Sequence, residues 1–436
     1  MKTPLFQTRR EFLSAGIKGV GLLSVAGYVP EFLTRTAAAA GAEADAKILV
    51  VLQLSGGNDG LNTVVPFGDD LYYKARPVIG IKADDTLKIN DHLGFNSALA
   101  PLKAELDAGR MAVVQNVGYP NPNRSHFRSM EIWHTASDSE GKREVNGWLG
   151  RYFDAQCKGA DPRTLAEKSS IGMSFGKIMP QAFRNRANVG IALDNPDTFQ
   201  WNASGETVSL AKAQEAIFAK LNQPGAAPAM QRLETLGGIA GNEPETLDFL
   251  RHTAMNAIVS GERIRTILEK AKTRTSYPNS QLARQLEMIS KMVAGNFPTR
   301  VYYANQGGFD THANQAGTQM RLLKDVAESV AAFLKDLRAQ NNSQRVLILA
   351  FSEFGRRVGE NASSGTDHGA AAPMFLFGEK IKGGLLGVAP DLKNLIDGDL
   401  RHQVDFRQVY ADVLEGWLGT PSEPVLGREF EKFAVV

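Results

Sequence analysis

The sequence is poor in cysteine, with Cys157 alone among 436 residues. One thiol excludes an internal disulfide and every multi-cysteine metal site, so any metal chemistry must draw on oxygen and nitrogen ligands. An excess of either charge is lacking too, since 49 Lys and Arg balance 47 Asp and Glu for a formal net charge of +2. The basic residues are interspersed with acidic ones and form no stripe, which excludes a nucleic-acid-binding face. No internal repeat, low-complexity tract or long Pro- or Ser-rich linker follows the N-terminal segment. The apolar stretch Ala15 to Ala26 falls well short of the roughly 20 residues that a membrane-spanning helix needs.

That N-terminal segment reads as an export signal. Thr8-Arg9-Arg10-Glu11-Phe12-Leu13 sets two adjacent arginines ahead of the Gly- and Ala-rich apolar stretch, and Ala37-Ala38-Ala39-Ala40-Gly41-Ala42 supplies the small residues of a cleavage site. The pattern predicts twin-arginine export with cleavage near Ala40 or Ala42. It implies the twin-arginine translocation machinery as a transient partner, a periplasmic or secreted location, and no stable membrane span after cleavage. An uncut N-terminal anchor is the competing reading, and the Ala-x-Ala spacing favours cleavage. Twin-arginine export carries folded cargo, so a metal or partner can be acquired before the chain leaves the cytoplasm. Residues 43–436 remain, a length that suits one large α/β domain or two smaller ones.

Past the leader, Lys47-Ile-Leu-Val-Val-Leu-Gln-Leu54 is a continuous apolar run, which predicts a strand buried on both faces, and Ser55-Gly56-Gly57-Asn58-Asp59-Gly60 ends it abruptly. Met111 to Val117 reads the same way and leads into the loop Tyr119 to Phe127, whose Ser125 is placed to open a helix. From about Ala203 to Ala294 the pattern turns helical, in segments such as Leu210 to Leu221 and Gln281 to Val293. Strand-like runs return at Arg300 to Ala304 and Arg345 to Phe351, separated by an amphipathic helix from Met320 to Leu337. A last run, Pro373 to Phe377, precedes a terminal helix from Asp405 to Leu418. Alternating strand and helix predicts an α/β fold: a mostly parallel central sheet with helices on both faces and a helical insertion at about 203–294.

Polar groups stand at the ends of these strands: Asn58 and Asp59; Arg124, Ser125 and His126; Asp310 and His312; Glu353; and Asp367 with His368. The C-terminal ends of parallel strands meet along one edge, so residues far apart in sequence can share one cleft. Carboxylates with imidazoles suit a divalent cation such as zinc or manganese, and a purely oxygen set suits calcium or magnesium. Such a cation polarises a phosphoryl or sulfuryl oxygen. Ser125, at a helix N-terminus, is placed to attack an anion that the helix amides stabilise, and Arg124, Arg356 and Arg357 offer bidentate contacts to it. Blander readings exist for single residues. Asp59 can simply make a turn, Ser125 can cap a helix, and Glu353 with Arg356 can form a helix-start ion pair. His92, His134, His252 and His402 show no ligand pattern.

Four motifs in order carry a resemblance to a known family: Leu54 to Pro66 (LSGGNDGLNTVVP), Arg124 to Phe127 (RSHF), Gly307 to His312 (GGFDTH), and Ser352 to Arg356 (SEFGR) followed by Thr366 to Gly369 (TDHG). Together they resemble the domain of unknown function 1501 family over essentially the whole mature chain. That family is usually exported by twin-arginine signals and is grouped, by distant similarity, with the alkaline phosphatase and sulfatase superfamily. The resemblance implies Asp59 as a first-strand acid, Ser125 at or near the nucleophile position, and Asp310, His312, Glu353 and His368 as metal-site residues. Asp367 is implied as a direct ligand or as an orienter of His368. It also implies departures. Two-metal members carry an Asp-His dipeptide where this chain has Glu353-Phe354, residues 124–127 do not reproduce the formylglycine signature, and the first Asp and His are separated by one residue instead of three.

The leading expectation is an exported, metal-dependent hydrolase of phosphate or sulfate esters. It would act on a small-molecule or glycan ester, with one or two ions (zinc, manganese or calcium) held by Asp59, Asp310, His312, Glu353, Asp367 and His368. Ser125, His126 and Arg124 form its expected catalytic group. A non-catalytic periplasmic scaffold or carbohydrate-binding protein with a degenerate site is the alternative. A transferase or mutase using the same anion site is a third, since water and a second alcohol are distinguished only by pocket shape.

Overall fold

The apolar run after Lys47 forms the middle of the molecule. In the computed structural model, which describes residues 46–141, 143–159, 170–176, 178–186, 190–193 and 263–436, it becomes β1 (Ile48–Leu54), all 7 residues of which are buried. Side chains alternate across a strand. Val50, Leu52 and Leu54 accordingly enter one core and Leu49 and Val51 the other. Each such side chain contributes about 2 kcal/mol of burial.

A small antiparallel sheet follows, β2 (Val64–Val65), β3 (Thr86–Lys88) and β4 (Gly94–Asn96), in the order β2-β4-β3. The remaining strands are β5 (Met111–Gly118), β6 (Gly172–Phe175), β7 (Ile191–Leu193), β8 (Val301–Gln306), β9 (Val346–Phe351), β10 (Ala372–Phe377), β11 (Gly384–Leu386) and β12 (Val404–Asp405). With β1 they form one sheet in the order β11-β5-β10-β9-β1-β8-β6-β7, and β12 pairs with β5. All pairings are parallel except those of β10, which runs antiparallel to both β9 and β5. The expected mostly parallel α/β sheet is therefore present, with one reversed strand.

The helices include α1 (Asp70–Ala75), α2 (Ala100–Asp107), α3 (His126–Thr135), α4 (Trp148–Gln156), α5 (Gln281–Ala294), α6 (Gln315–Ala339), α7 (Phe406–Asp412) and α8 (Glu423–Leu426). Apolar side chains of α2, α5, α6 and the helix at 263–270 fill the core on one sheet face, and those of α3, α4 and α7 fill the other. In α5, Leu282, Leu286, Ile289 and Val293 recur at spacings of four and three and are buried, and the Ser280 side chain accepts from Ala283 N at 3.0 Å to cap the first turn. So α5, expected as part of an insertion, belongs to a layer covering the sheet. The rest of that expectation, residues 203–262, including the Leu210 to Leu221 segment, lies outside the described residues, as do Arg9, Arg10 and the cleavage site.

Two helix boundaries differ from expectation for physical reasons. Helix α6 begins at Gln315, five residues before the predicted Met320, because its first turn buries Gln315 and Gln319 in a polar network that hydrophobic periodicity cannot register. The terminal helix is two pieces: Asp405 closes a capping box at the start of α7, and residues Val413–Trp417 continue as a π-helical turn. Among the described residues, no helix is long and apolar enough to cross a membrane. Lys47–Val436 forms one compact unit.

A polar group sits inside the second core. His134 Nε2 lies 2.9 Å from the Tyr303 hydroxyl and 3.3 Å from Gln53 Oε1, and burial pushes the imidazole down from 6.5 to about 4. An unfolded His134 takes up a proton that the folded one refuses between those values, so its stabilising contribution is complete above pH 6.5 and is lost as pH falls through 4. In urea titrations at pH 7.5 and pH 4, the wild type should lose about 3 kcal/mol more than a His134→Gln variant over that interval. Equal losses would show that the ring is protonated in the folded chain.

Candidate metal centre

Strand direction assembles the site. The parallel strands β1, β8, β9 and β5 end at one edge, and each runs into a polar loop there: Ser55 to Gly60, Gly307 to Asn314, Ser352 to Arg357, and Tyr119 to Ser125 ahead of α3. Because β10 is reversed, the segment before it, Gly365 to Ala371, arrives at the same edge. Backbone approaches are close enough to demand glycine. At Gly56, with φ +119°, a Cβ would sit 2.4 Å from Asp310 N, and at Gly365 it would sit 2.2 Å from the His312 carbonyl carbon.

Three imidazoles converge there around the Asp310 carboxylate. His312 Nε2 and His368 Nε2 each approach its Oδ1 to 3.1 Å, and His126 Nε2 approaches Oδ2 to 3.3 Å. The Nε2 atoms of His312 and His368 are 2.9 Å apart. One ligand atom each from His126, Asp310 and His368 all fall within 4.8 Å of one another.

Each imidazole is oriented through its far nitrogen. His126 Nδ1 meets Glu353 Oε1 at 2.8 Å, His312 Nδ1 meets Asp367 Oδ1 at 3.3 Å, and His368 Nδ1 meets the Arg124 carbonyl at 2.7 Å. All three partners are acceptors, which assigns the proton of each neutral ring to Nδ1 and leaves the Nε2 lone pairs facing one carboxylate. An imidazole steadied by a carboxylate or carbonyl on its far side is the arrangement that metal-binding histidines take. His126 Nε2 is buried and has no hydrogen-bond partner among the described residues. Donor atoms around one ion at about 2.0–2.2 Å lie roughly 2.8–3.6 Å apart in octahedral or tetrahedral surroundings, the range in which each imidazole's contact with Asp310 and the His312–His368 contact fall. The residues present fit a divalent cation.

Local charge keeps the carboxylate available. Burial pushes the Asp310 carboxyl up, but hydrogen bonds from Arg356 and His368 and the charges of Arg356 and His126 outweigh it and bring it down to about 2. The Glu353 bond raises His126 against the opposing effect of burial. A bond from Asn361 is the main cause that lowers Asp367, with burial opposing and His312 assisting.

The structure brings Asp310, His312 and His368 together as atoms facing one point, and adds His126, which the sequence reading had placed among catalytic groups. Glu353 and Asp367 stand one step back. Glu353 is 1% exposed and its Oε1 accepts from Gly56 N and faces His126 Nδ1, so it orients a ring instead of joining the converging atoms, and it forms no ion pair with Arg356. Asp367 orients His312, where His368 had been the expected partner.

Asp59 is a correction. Its carboxylate is fully buried against Arg76, which follows α1, with contacts of 2.6 and 3.0 Å, and it also accepts from Leu61 N and Gln315 Nε2. These four donors occupy the lone pairs that a cation would need. Arg356 is a second correction. Its guanidinium is 0% exposed and bonds Asp310, Gly56, Gly57, Phe309 and Thr366, so it holds the loops from inside and does not face a substrate anion.

Ser125 is the N-cap position of α3, exposed, and its side chain makes no capping bond. Arg124 pairs with Asp399 at 3.0 Å yet remains partly exposed, and Arg357 is half-buried with its charge near Asp367. Sequence reasoning missed Arg76 and Gln315, which lie outside the quoted motifs, and gave no role to Thr366, which opens the last of them.

Among solved structures, the chain is similar to the PsFucS1 sulfatase from Pseudoalteromonas sp., at 11% identity over 93% of this chain and 76% of that one, with a TM-score of 0.33. It is similar to the alkaline phosphatase from the Antarctic bacterium TAB5 at 10% identity, over 78% of this chain and 94% of that one, with a TM-score of 0.32. For the lipoteichoic acid synthase LtaP from Listeria monocytogenes the identity is 10%, over 78% of this chain and 68% of that one, with a TM-score of 0.31. None of the curated proteins matches it. The family described as "Protein of unknown function (DUF1501)" matches residues 46–417, and the chain belongs to that family.

Proposed function

We propose that this chain is an exported, divalent-cation-dependent hydrolase of phosphate or sulfate esters. The observation that carries the reading is the orientation of three imidazoles, each turned by an acceptor on Nδ1 so that Nε2 faces Asp310. His126, Asp310 and His368 would hold the cation, with His312 beside them. Nitrogen donors with a carboxylate suit zinc or manganese better than calcium, which prefers oxygen. A cation there polarises a phosphoryl or sulfuryl oxygen and favours the deprotonated form of a neighbouring hydroxyl or water.

The chain's own residues supply the rest. Ser125 precedes His126 and presents an exposed hydroxyl at the N-terminus of the ten-residue helix α3, where free amides favour negative charge. It is the candidate nucleophile. Arg124 and Arg357 are the cationic side chains placed to meet an anionic group, since Arg356 is consumed inside. Glu353, Asp367 and the Arg124 carbonyl hold the rings in register, and Arg356 keeps Asp310 ionised. The leader at Arg9 and Arg10 supports the export part of the proposal.

Purified protein should bind zinc or manganese by equilibrium dialysis, and Asp310→Asn should abolish binding while also lowering stability, because buried Arg356 loses its counter-charge. Asp59→Asn should still bind the metal at saturating concentration, with reduced affinity, while costing about 3–5 kcal/mol in urea denaturation through the stranded Arg76 charge. Metal retention by Asp310→Asn would defeat the assignment of ligands.

The loaded enzyme should cleave a chromogenic phosphate or sulfate monoester, and Ser125→Ala should reduce kcat on the order of a thousandfold while leaving metal content unchanged. No turnover of either ester class with any cation would reject the hydrolase reading.

Replacing Arg9 and Arg10 together by Lys should hold a leader–reporter fusion in the cytoplasm. Continued export of that fusion would remove the twin-arginine assignment.

A further inference from the structure

Behind the converging ligands, the Gln315 side-chain amide joins three loops that otherwise share no covalent neighbour. It is 0% exposed at the first position of α6. Its Nε2 donates to Asp59 Oδ2, in the loop after β1. Its Oε1 accepts from the Thr311 hydroxyl at 3.1 Å and from the Thr366 hydroxyl. Thr311 is the residue between Asp310 and His312, and Thr366 directly precedes Asp367 and His368. Backbone contacts close the same junction, with Thr366 N donating to Thr311 O at 3.3 Å and Gln315 N to Ser364 O at 3.0 Å.

The donor and acceptor requirements at this point are opposite on its two sides. Asp59 presents only acceptors and is fixed in place by Arg76, so it needs a donor. The two threonine hydroxyls need an acceptor, and Thr366 also has its carbonyl held by Arg356 Nη1. Among side chains of this length, only a primary amide offers a donor and an acceptor on the same planar group. A carboxylate at 315 would keep the shape and the threonine contacts but set two buried carboxylates against each other.

We infer that Gln315 is a positioning residue for the metal centre, coupling the buried Asp59–Arg76 pair to the two segments that deliver Asp310, His312 and His368. This rests on the cation-binding reading of those residues and assigns Asp59 its part in the site: an anchor for a ligand-bearing loop, acting through the amide.

The test measures metal affinity and ligand geometry on folded protein. Wild type, Gln315→Glu, the donor–acceptor swap Asp59→Asn with Gln315→Glu, and Thr366→Val are titrated with zinc against a chromophoric chelator, and the visible spectra of their cobalt forms are recorded. Gln315→Glu should weaken zinc binding roughly ten- to a hundredfold and alter the cobalt spectrum while far-ultraviolet circular dichroism stays native. The swap should recover most of the affinity and the wild-type spectrum. Thr366→Val, which removes one of the two hydroxyl contacts, should weaken binding several-fold and serves as the readout should Gln315→Glu fail to fold. Unchanged affinity and spectrum in folded Gln315→Glu or in Thr366→Val, or a swap no better than the single variant, would overturn the inference. A wild type that binds neither metal would instead defeat the cation-binding reading beneath it.

Discussion

The Arg356 guanidinium is the contact on which the candidate site depends. It is buried, and removing such a charge from water costs several kcal/mol unless acceptors replace the water. Here the answers are backbone carbonyls of Gly56, Gly57, Phe309 and Thr366 and one oxygen of Asp310. Those acceptors belong to three loops that enter from different strands, so satisfying one side chain locks the loops to one another. The same charge keeps Asp310 ionised. Gly56 is part of the bargain, because any side chain there would collide with the backbone of residues 309–310 and push apart the carbonyls that Arg356 needs.

Strand polarity does the remaining assembly. In an all-parallel sheet the segment preceding β10 would lie at the opposite edge, several strand residues away from the loops after β1, β8 and β9. Reversal of β10 puts Asp367 and His368 beside Asp310 and His312, and the isolated antiparallel bridge between Arg356 and His368 continues that pairing beyond the strand. The sheet itself is held by two cores of similar construction, one on each face, so the edge carrying the polar loops is the end of a rigid platform.

Much of that platform was legible in the sequence because strands buried on both faces read as nearly continuous apolar runs, and β1, β5, β8, β9 and β10 all announce themselves in this way. The strands that escaped notice, β6, β7, β11, β12 and the small β2-β4-β3 sheet, span two to four residues each and carry too little apolar length to form a signal. In the site, Asp310, His312 and His368 could be singled out because each stands in a polar loop beside such a strand. Their orienting partners could not. Whether Glu353 faces a cation or steadies His126, and whether Asp59 faces a cation or Arg76, depends on which side chain arrives from a distant segment, and spacing along the chain does not encode that. Arg356 misled for the same reason. An arginine in a Gly-rich loop looks like an anion contact until its carbonyl partners are in view.

The nitrogen positions constrain what can settle the site. His312 Nε2 and His368 Nε2 stand 2.9 Å apart, each 3.1 Å from one Asp310 oxygen, so two lone pairs face each other there. His126 Nε2 is buried 3.3 Å from the other Asp310 oxygen without a hydrogen bond. Arg356 already bonds that carboxylate from inside. A divalent cation held by His126, Asp310 and His368, as proposed, would give inward-facing lone pairs of this kind a partner that no side chain among the described residues supplies.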